Sequence, residues 1–169
     1  MDDAGPYISI ESVFEFYDGE TDSDQQVILE SVANIEKEAF VDFWSEHSLE
    51  ESLQYDYNKL LIAKEIRGSV TEIVGYLLYN EIGDETELLR IAVDKRYRGR
   101  HIASELLSIY KDKTTGKCSR GFLEVRSGNV IARRLYERAG YQTLSIRKNY
   151  YSNPPEDGIV YEIMLELTE

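Results

Sequence analysis

The chain has 169 residues, 42% of them hydrophobic, and a net charge of −13. That length suffices for one domain with a full core over residues 1–169, and no uninterrupted apolar run approaches the length of a membrane span. So acidic a balance argues against nucleic acid as partner, because phosphate binding needs basic surface; it suits cationic partners, which it would steer, and it equally serves solubility alone. One cysteine, Cys118, excludes an internal disulfide and a cysteine-based zinc site. His47 and His101 show no ligand spacing, so no metal is expected. The acidic start Met1–Gly5 lacks the basic residues and apolar run of a secretory signal, which makes the cytoplasm the expected compartment, without a membrane.

In chain order, residues 1–6 read as loose and Tyr7–Phe16, rich in β-formers, as a first strand. Asp18–Asp22 is a loop. Ser23 and Gln26 fit a capping box for a helix whose apolar residues Ile28, Val32, Ile35 and Ala39 recur at helical period. A second short helix begins at about Ser48, with a Ser48–Glu51 box and with Leu49 and Leu53 on one face. Three strands follow, Lys59–Ile66, Val70–Ile82 and Glu85–Val93. Their connections, Arg67-Gly68-Ser69 and Gly83-Asp84, are too short for a helix and predict an antiparallel meander. Next come a helix over Arg100–Lys113 with Ile102, Leu106 and Ile109 on one face, a strand at Phe122–Val125 and a helix over Asn129–Ala139. Strands at Tyr141–Tyr151 and Ile159–Leu167 close the chain, separated by a Pro154–Gly158 loop. This order predicts a mixed α/β (α+β) sheet.

Twelve residues separate Glu124, on the Phe122–Val125 strand, from Tyr136, at the end of the next helix. A strand and the helix after it can bring a carboxylate and a phenol to one cleft, the first as base and the second as acid for group transfer to an amine. The plainer readings are an ion pair between Glu124 and Arg126 and a core position for Tyr136. Asn129, at the helix start, is placed to cap it. Asp94–His101 follows a strand and opens a helix, and holds four basic residues against one acid, a local balance of +3. Such a segment at a helix N-terminus can cradle phosphate, and can also be a solvated charged turn.

With Leu123-Glu124-Val125-Arg126, Asn129 and Leu135-Tyr136-Glu137 at this spacing, the chain resembles the GNAT superfamily of acetyl-CoA-dependent N-acetyltransferases. Within it, the stretch looks most like the RimI-type ribosomal-protein-alanine N-acetyltransferases. The resemblance runs from about Ile8 to Leu167 and is most specific over Leu89–Tyr151. It implies a largely antiparallel sheet flanked by helices on both faces, with Glu124 as catalytic base and Tyr136 as catalytic acid. The segment Arg98-Gly99-Arg100-His101-Ile102-Ala103 resembles the family's Arg/Gln-x-x-Gly-x-Gly/Ala loop, except that His101 replaces the central glycine. The resemblance implies that backbone from Arg98 through Ser104 holds coenzyme A. It further implies that Ile91, Ala92 and Val93 pair with the pantetheine arm and that Asn129 bonds it. Phe43-Trp44-Ser45 is similar to a substrate-side Pro-Trp-Ser. Arg147-Lys148-Asn149-Tyr150-Tyr151 is similar to a family stretch whose aromatics would wall a peptide groove; strand alternation allows at most one of Tyr150 and Tyr151 to enter it.

The implied cosubstrate is acetyl-CoA, and the implied acceptor a protein N-terminus, basic in character, with a ribosomal-protein N-terminal alanine as the case in point. An α-amine suits a single carboxylate base, since its pKa of about 7.7–8.0 lies well below the roughly 10.4 of lysine. Two alternatives stay open: a relative acting on a small amine or on lysine, and a weakly catalytic acetyl-CoA-binding module, for which His101 is the pointer.

Overall fold

A computed structural model describes residues 5–13 and 23–167. The expected continuation of the first strand to Phe16, the Asp18–Asp22 loop and most of the loose start lie outside the described residues. The elements are β1 (Tyr7–Val13), α1 (Ser23–Ala39), α2 (Glu46–Leu53), β2 (Asn58–Arg67), β3 (Val70–Ile82), β4 (Glu85–Val93), α3 (Ile102–Thr114), β5 (Arg120–Arg126), α4 (Val130–Arg138), β6 (Gln142–Ser152) and β7 (Pro155–Met164). One 3-10 turn, Lys95–Tyr97, was not anticipated. The strands form one mixed, largely antiparallel sheet, as expected, and its order is β1-β2-β3-β4-β5-β7-β6 with β4 and β5 parallel. The chain divides into two compact units, residues 1–78 with 90–106 and residues 79–89 with 107–169.

In the first unit β1 and β2 pair antiparallel from Tyr7↔Ile66 to Val13↔Leu60. Leu60–Ala63 and Val74–Leu78 are buried without interruption, the mark of strands covered on both faces. Gly75 permits close approach of β3 to β4: a Cβ there would meet the Ala92 carbonyl oxygen at 3.2 Å and Val93 Cγ2 at 3.3 Å. The inward stripe of α1 is Leu29, Val32, Ile35 and Glu36 rather than the expected line through Ile28 and Ala39, both of which are only half-buried. The Gln26 side-chain amide donates to Glu30 and Glu46. The second helix also starts earlier than Ser48. Ser45, with extended φ −71° and ψ 163°, is its N-cap, and its Oγ accepts the Ser48 N–H at 3.1 Å.

The second unit is covered on one face of β5. Gly121, Leu123 and Val125 are buried, while Phe122, Glu124 and Arg126 alternate onto a face that stays partly open. Behind that strand stands an aromatic core in which Tyr79 meets Tyr110 edge-on and Tyr136 meets Tyr141 and Tyr161. The edge strand β6 is exposed almost throughout. The expected Pro154–Gly158 loop is much shorter. Ser152 pairs with Pro155 and Tyr151 with Glu156, so only Asn153 and Pro154, joined by a cis peptide, make the turn. Proline at the first position of a strand costs no ladder bond, which is why β7 begins where the composition suggests a loop. At the other end β7 stops at Met164, and Leu167 forms a lone parallel bridge with Gly116.

Candidate active site

Register sets the open face of the second unit. Glu124 lies opposite Val160 on β7, and Val160 opposite Ser145 on β6; Arg126 lies opposite Gly158, and Gly158 opposite Arg147. Arg147, and not the expected Arg126, is the cation on Glu124, with Nη1 at 2.6 Å from Oε1. Arg126 turns toward the β6–β7 turn, donating to the Asn153 and Pro154 carbonyls and pairing with Glu156. The Glu124 side chain remains 22% exposed, so it is held and still reachable.

Tyr150 and Tyr151 both join this cluster, against the expectation of opposite faces. The β6 register slips between Arg147 and Tyr151, and Asn149 takes a left-handed φ of 51°, its N–H held by Asp157 at 2.9 Å. A bulge of this kind re-aims the side chains that follow it. Tyr150 stands beside Glu124, and interaction with that carboxylate, ahead of any burial, raises the pKa of the phenol. Arg147 lies 5.1 Å from the Tyr150 ring centroid and Arg126 4.1 Å from that of Tyr151; the two rings meet edge-on at 5.0 Å. Gly158 makes the arrangement possible, since a Cβ there would stand 3.0 Å from Tyr150 Cδ1.

Glu87, a second carboxylate that sequence reasoning missed, shares the face. It is opposite Phe122 in the short parallel ladder Glu85↔Arg120 to Leu88↔Leu123. Burial raises its carboxyl pKa, a hydrogen bond from Asn80 opposes that, and the negative charge of Glu124 adds to it. Arg147 had a sequence signal, in the Arg-Lys-Asn-Tyr-Tyr stretch. Glu87 had none, because its place depends on a pairing between strands far apart in the chain.

Tyr136 is 5% exposed, and burial holds its phenol far above the usual value, with the nearby Tyr151 adding to the effect. It is therefore protonated throughout the physiological range. Asn129 is the N-cap of α4; its Oδ1 accepts the Ala132 N–H at 3.2 Å, and the residue is exposed. Next to it, the Gly128 N–H is held by the Glu156 carboxylate, which also accepts from Ser127.

In the first unit most side chains of the basic segment are ion-paired. Arg96 pairs with Asp94 and Glu72, Arg100 with the buried Glu65 at 3.1 Å, and Lys95 with Glu38 at 3.3 Å. Tyr97, buried beneath them, hydrogen-bonds Glu72 and Glu65; the Glu72 bond first, then burial, pushes its phenol up to about 12. The local excess of positive charge is thus balanced by acids of β2 and β3. Arg98 is the exception: it is exposed, its Nε donates to the Val93 carbonyl at 3.1 Å, and it has no carboxylate partner among the described residues. Gly99 and His101 have φ of 77° and 63°. These two left-handed residues delay the start of α3 to Ile102, past the expected Arg100. Ile102 is buried and Ser104 exposed at the first turn, with Ala103 between them. Ala92 and Val93 are nearly buried and Ile91 half-buried, so this stretch of β4 has backbone rather than side chains to offer.

Trp44 is anchored rather than loose. Its N–H donates to the buried Glu36 at 3.0 Å, and the Arg90 guanidinium lies 5.3 Å from its ring centroid and 4.7 Å from that of Phe40. Arg90 also bonds the Asp42 carbonyl at 2.8 Å, which ties the α1–α2 connection to β4. No described helix is long and apolar enough to cross a membrane.

Comparison with known proteins gives this geometry its context. Residues 29–141 match the Acetyltransferase (GNAT) family. The chain is 34% identical over 83 residues to the ribosomal protein bS18-alanine N-acetyltransferase of Haemophilus ducreyi, a match that covers 48% of this chain and 57% of that protein. It is 32% identical over 127 residues to the enzyme of the same description from Haemophilus influenzae, covering 74% of this chain and 82% of the relative. In three dimensions it is similar to the ribosomal-protein-S18-alanine N-acetyltransferase from Escherichia coli, with a TM-score of 0.79 over 96% of this chain and 97% of the other at 24% identity. The family match spans well over half of the sequence, and the chain belongs to the GNAT family as an N-acetyltransferase.

Proposed function

We propose that residues 1–169 act as one acetyl-CoA-dependent N-α-acetyltransferase domain, working in the cytoplasm on protein N-termini. The observation that carries this reading is the Glu124 carboxylate: it is partly exposed on an uncovered sheet face and ion-paired to Arg147, on a GNAT frame. The acetyl carbonyl carbon is attacked by the neutral acceptor amine. Glu124 takes the amine proton, the C–S bond breaks, and Tyr136 gives its proton to the departing thiolate. Both groups then recover their resting state by exchange with water.

The loop from Arg98 to Ser104 would hold the pyrophosphate with backbone N–H groups, since most of its cationic side chains are engaged elsewhere. Arg98 would add its charge there. Ile91, Ala92 and Val93 would bond the pantetheine arm and the oxyanion through their backbone, and the Asn129 side chain would bond the arm as well. Trp44, Tyr150 and Tyr151 would line the acceptor's path. Curated relatives are named for ribosomal protein bS18 alanine, which supports an N-terminal alanine as acceptor, and the charge of −13 supports a basic chain behind it.

The test is incubation with acetyl-CoA and N-terminal peptides of varied first residue and charge, with mass mapping of the acetylated nitrogen. A gain of one acetyl group on the α-amine of basic Ala-initiated peptides is expected. Transfer confined to lysine side chains or small amines would replace this reading with the alternative acceptor class. Acetyl-CoA binding without any transfer would replace it with a binding module.

A further inference from the structure

We propose that Arg90 is a positioning residue whose guanidinium fixes the Trp44 ring as a wall of the acceptor's path. This rests on the transferase reading above and deepens it by naming what holds that wall in place.

Residues 40–45 join α1 to α2 without helix or strand, so no backbone ladder sets the direction of Trp44. Side chains set it instead, and they converge on Arg90 of β4, whose side chain is 14% exposed. The guanidinium lies over two rings of this connection, 4.7 Å from the centroid of Phe40 and 5.3 Å from that of Trp44. Its edge is used as well. Nη2 donates to the Asp42 carbonyl at 2.8 Å, and Nε stands 3.8 Å from the carboxylate of the fully buried Glu36. Glu36 in turn accepts the backbone N–H of Trp44 at 3.0 Å and the Tyr76 hydroxyl. One ion pair therefore holds both parts of Trp44, with Glu36 on its backbone and Arg90 on its ring. A planar guanidinium can stack on rings and hydrogen-bond at its edge together; the ammonium of lysine is a compact point charge and cannot. The charge of Arg90 is taken up by Glu36 and Asp42. What it gives the acceptor is thus the placement of a half-buried aromatic wall, and neither attraction nor a proton. Losing that placement weakens acceptor binding and leaves proton transfer at Glu124 as it was.

The experiment uses Arg90→Lys, which keeps a charge beside Glu36, and Arg90→Gln. Trp44 is the one tryptophan of the chain, so its fluorescence reports the ring directly. Easier quenching by acrylamide is expected in both variants. The Kd of Ala-Lys-Lys amide, by calorimetry in saturating coenzyme A, and the acceptor KM should each rise about 3–10-fold. The kcat and the KM for acetyl-CoA should change by less than about 2-fold. Unchanged acceptor Kd and KM in both variants overturn the proposal, whatever the melting temperature does. So does equal weakening of acceptor and acetyl-CoA, which marks a general loosening of the fold. Quenching that stays at the wild-type level overturns it too. Losses confined to Arg90→Gln would assign the effect to charge and remove the role of the planar group. A wild type that binds the peptide without acetylating it, with weaker binding in the variants, would defeat the transferase reading and leave Arg90 standing. A wild type that binds no peptide overturns both.

Discussion

In the segment Asp94–His101 the charged side chains are largely consumed by partners within their own unit, and what remains for a ligand is backbone. Around Glu124 the allocation is reversed: the backbone is occupied by the β5–β7 ladder, and side chains carry the available chemistry. The contrast follows from what each region must bind. A pyrophosphate takes several donors at fixed positions, which successive N–H groups at a helix start provide without side-chain entropy cost. A proton transfer needs one group of suitable acidity at one place, which only a side chain supplies. A run of arginines before a helix is thus no guide by itself to which groups meet phosphate.

The contrast breaks most severely at Glu124. Glu124→Gln keeps the shape and removes the base, so the acetylation rate should fall by about 10²–10⁴ while acetyl-CoA affinity, measured by titration, stays near wild type. An unchanged rate and pH–rate profile would make Glu124 an ion-pair partner of Arg147 and nothing more. Tyr136→Phe removes one hydroxyl from a buried ring, and a rate loss of about 10–100-fold with a stable fold is expected. A sharp drop in thermal stability with turnover intact would place Tyr136 in the core alone.

Gly158→Ala tests the side-chain arm of the comparison without touching a charged group. Its Cβ would press on the Tyr150 ring at 3.0 Å, moving the phenol beside Glu124. An acceptor KM raised about 3–10-fold is expected, with melting lowered in proportion to about 1–3 kcal/mol of overpacking. Unaltered KM would separate Tyr150 from the acceptor.

His101→Gly tests the backbone arm. Histidine at φ 63° sits where a side chain costs about 1–2 kcal/mol, a gain that glycine's flexibility in the unfolded chain partly cancels. Acetyl-CoA affinity should be unchanged or tighter by calorimetry. Weaker binding would give the imidazole itself a contact with the cofactor.

The smallest effect concerns the paired charges. Tyr97 and then Arg96 hold the Glu72 carboxyl below its usual range, and Arg96 does the same for Asp94. Folded, these groups bind fewer protons than unfolded, so their contribution is present above the ordinary carboxyl pKa of about 4 and is lost as pH falls through the lower folded value. Arg96→Gln should therefore cost a little stability at neutral pH and nothing at about pH 2, followed by denaturant melts at both. Equal loss at both pH values would show packing rather than charge.

The periodic segments were legible from the chain alone. Strand-like segments bounded by Arg67-Gly68-Ser69 and Gly83-Asp84 gave β2, β3 and β4 in that neighbour order, and helical period gave α1 and α3. The places of Glu124 on β5 and Tyr136 on α4 were legible because a strand–helix unit fixes their spacing locally, and Asn129 does cap α4. Three things were decided only by tertiary structure. Arg147 rather than Arg126 meets Glu124, because β7 lies between their strands and Gly158 opens the way across it. Tyr150 and Tyr151 gather in one cluster because a bulge, held by Asp157, breaks the alternation that their sequence positions imply. Arg96 and Arg100, before α3, are neutralised by Glu72 and Glu65, which the chain brings back from more than twenty residues away. Local geometry can be read from spacing, because bond lengths and dihedral wells set it. Register across a sheet and the partner of a surface charge depend on contacts whose sequence separation no local pattern records.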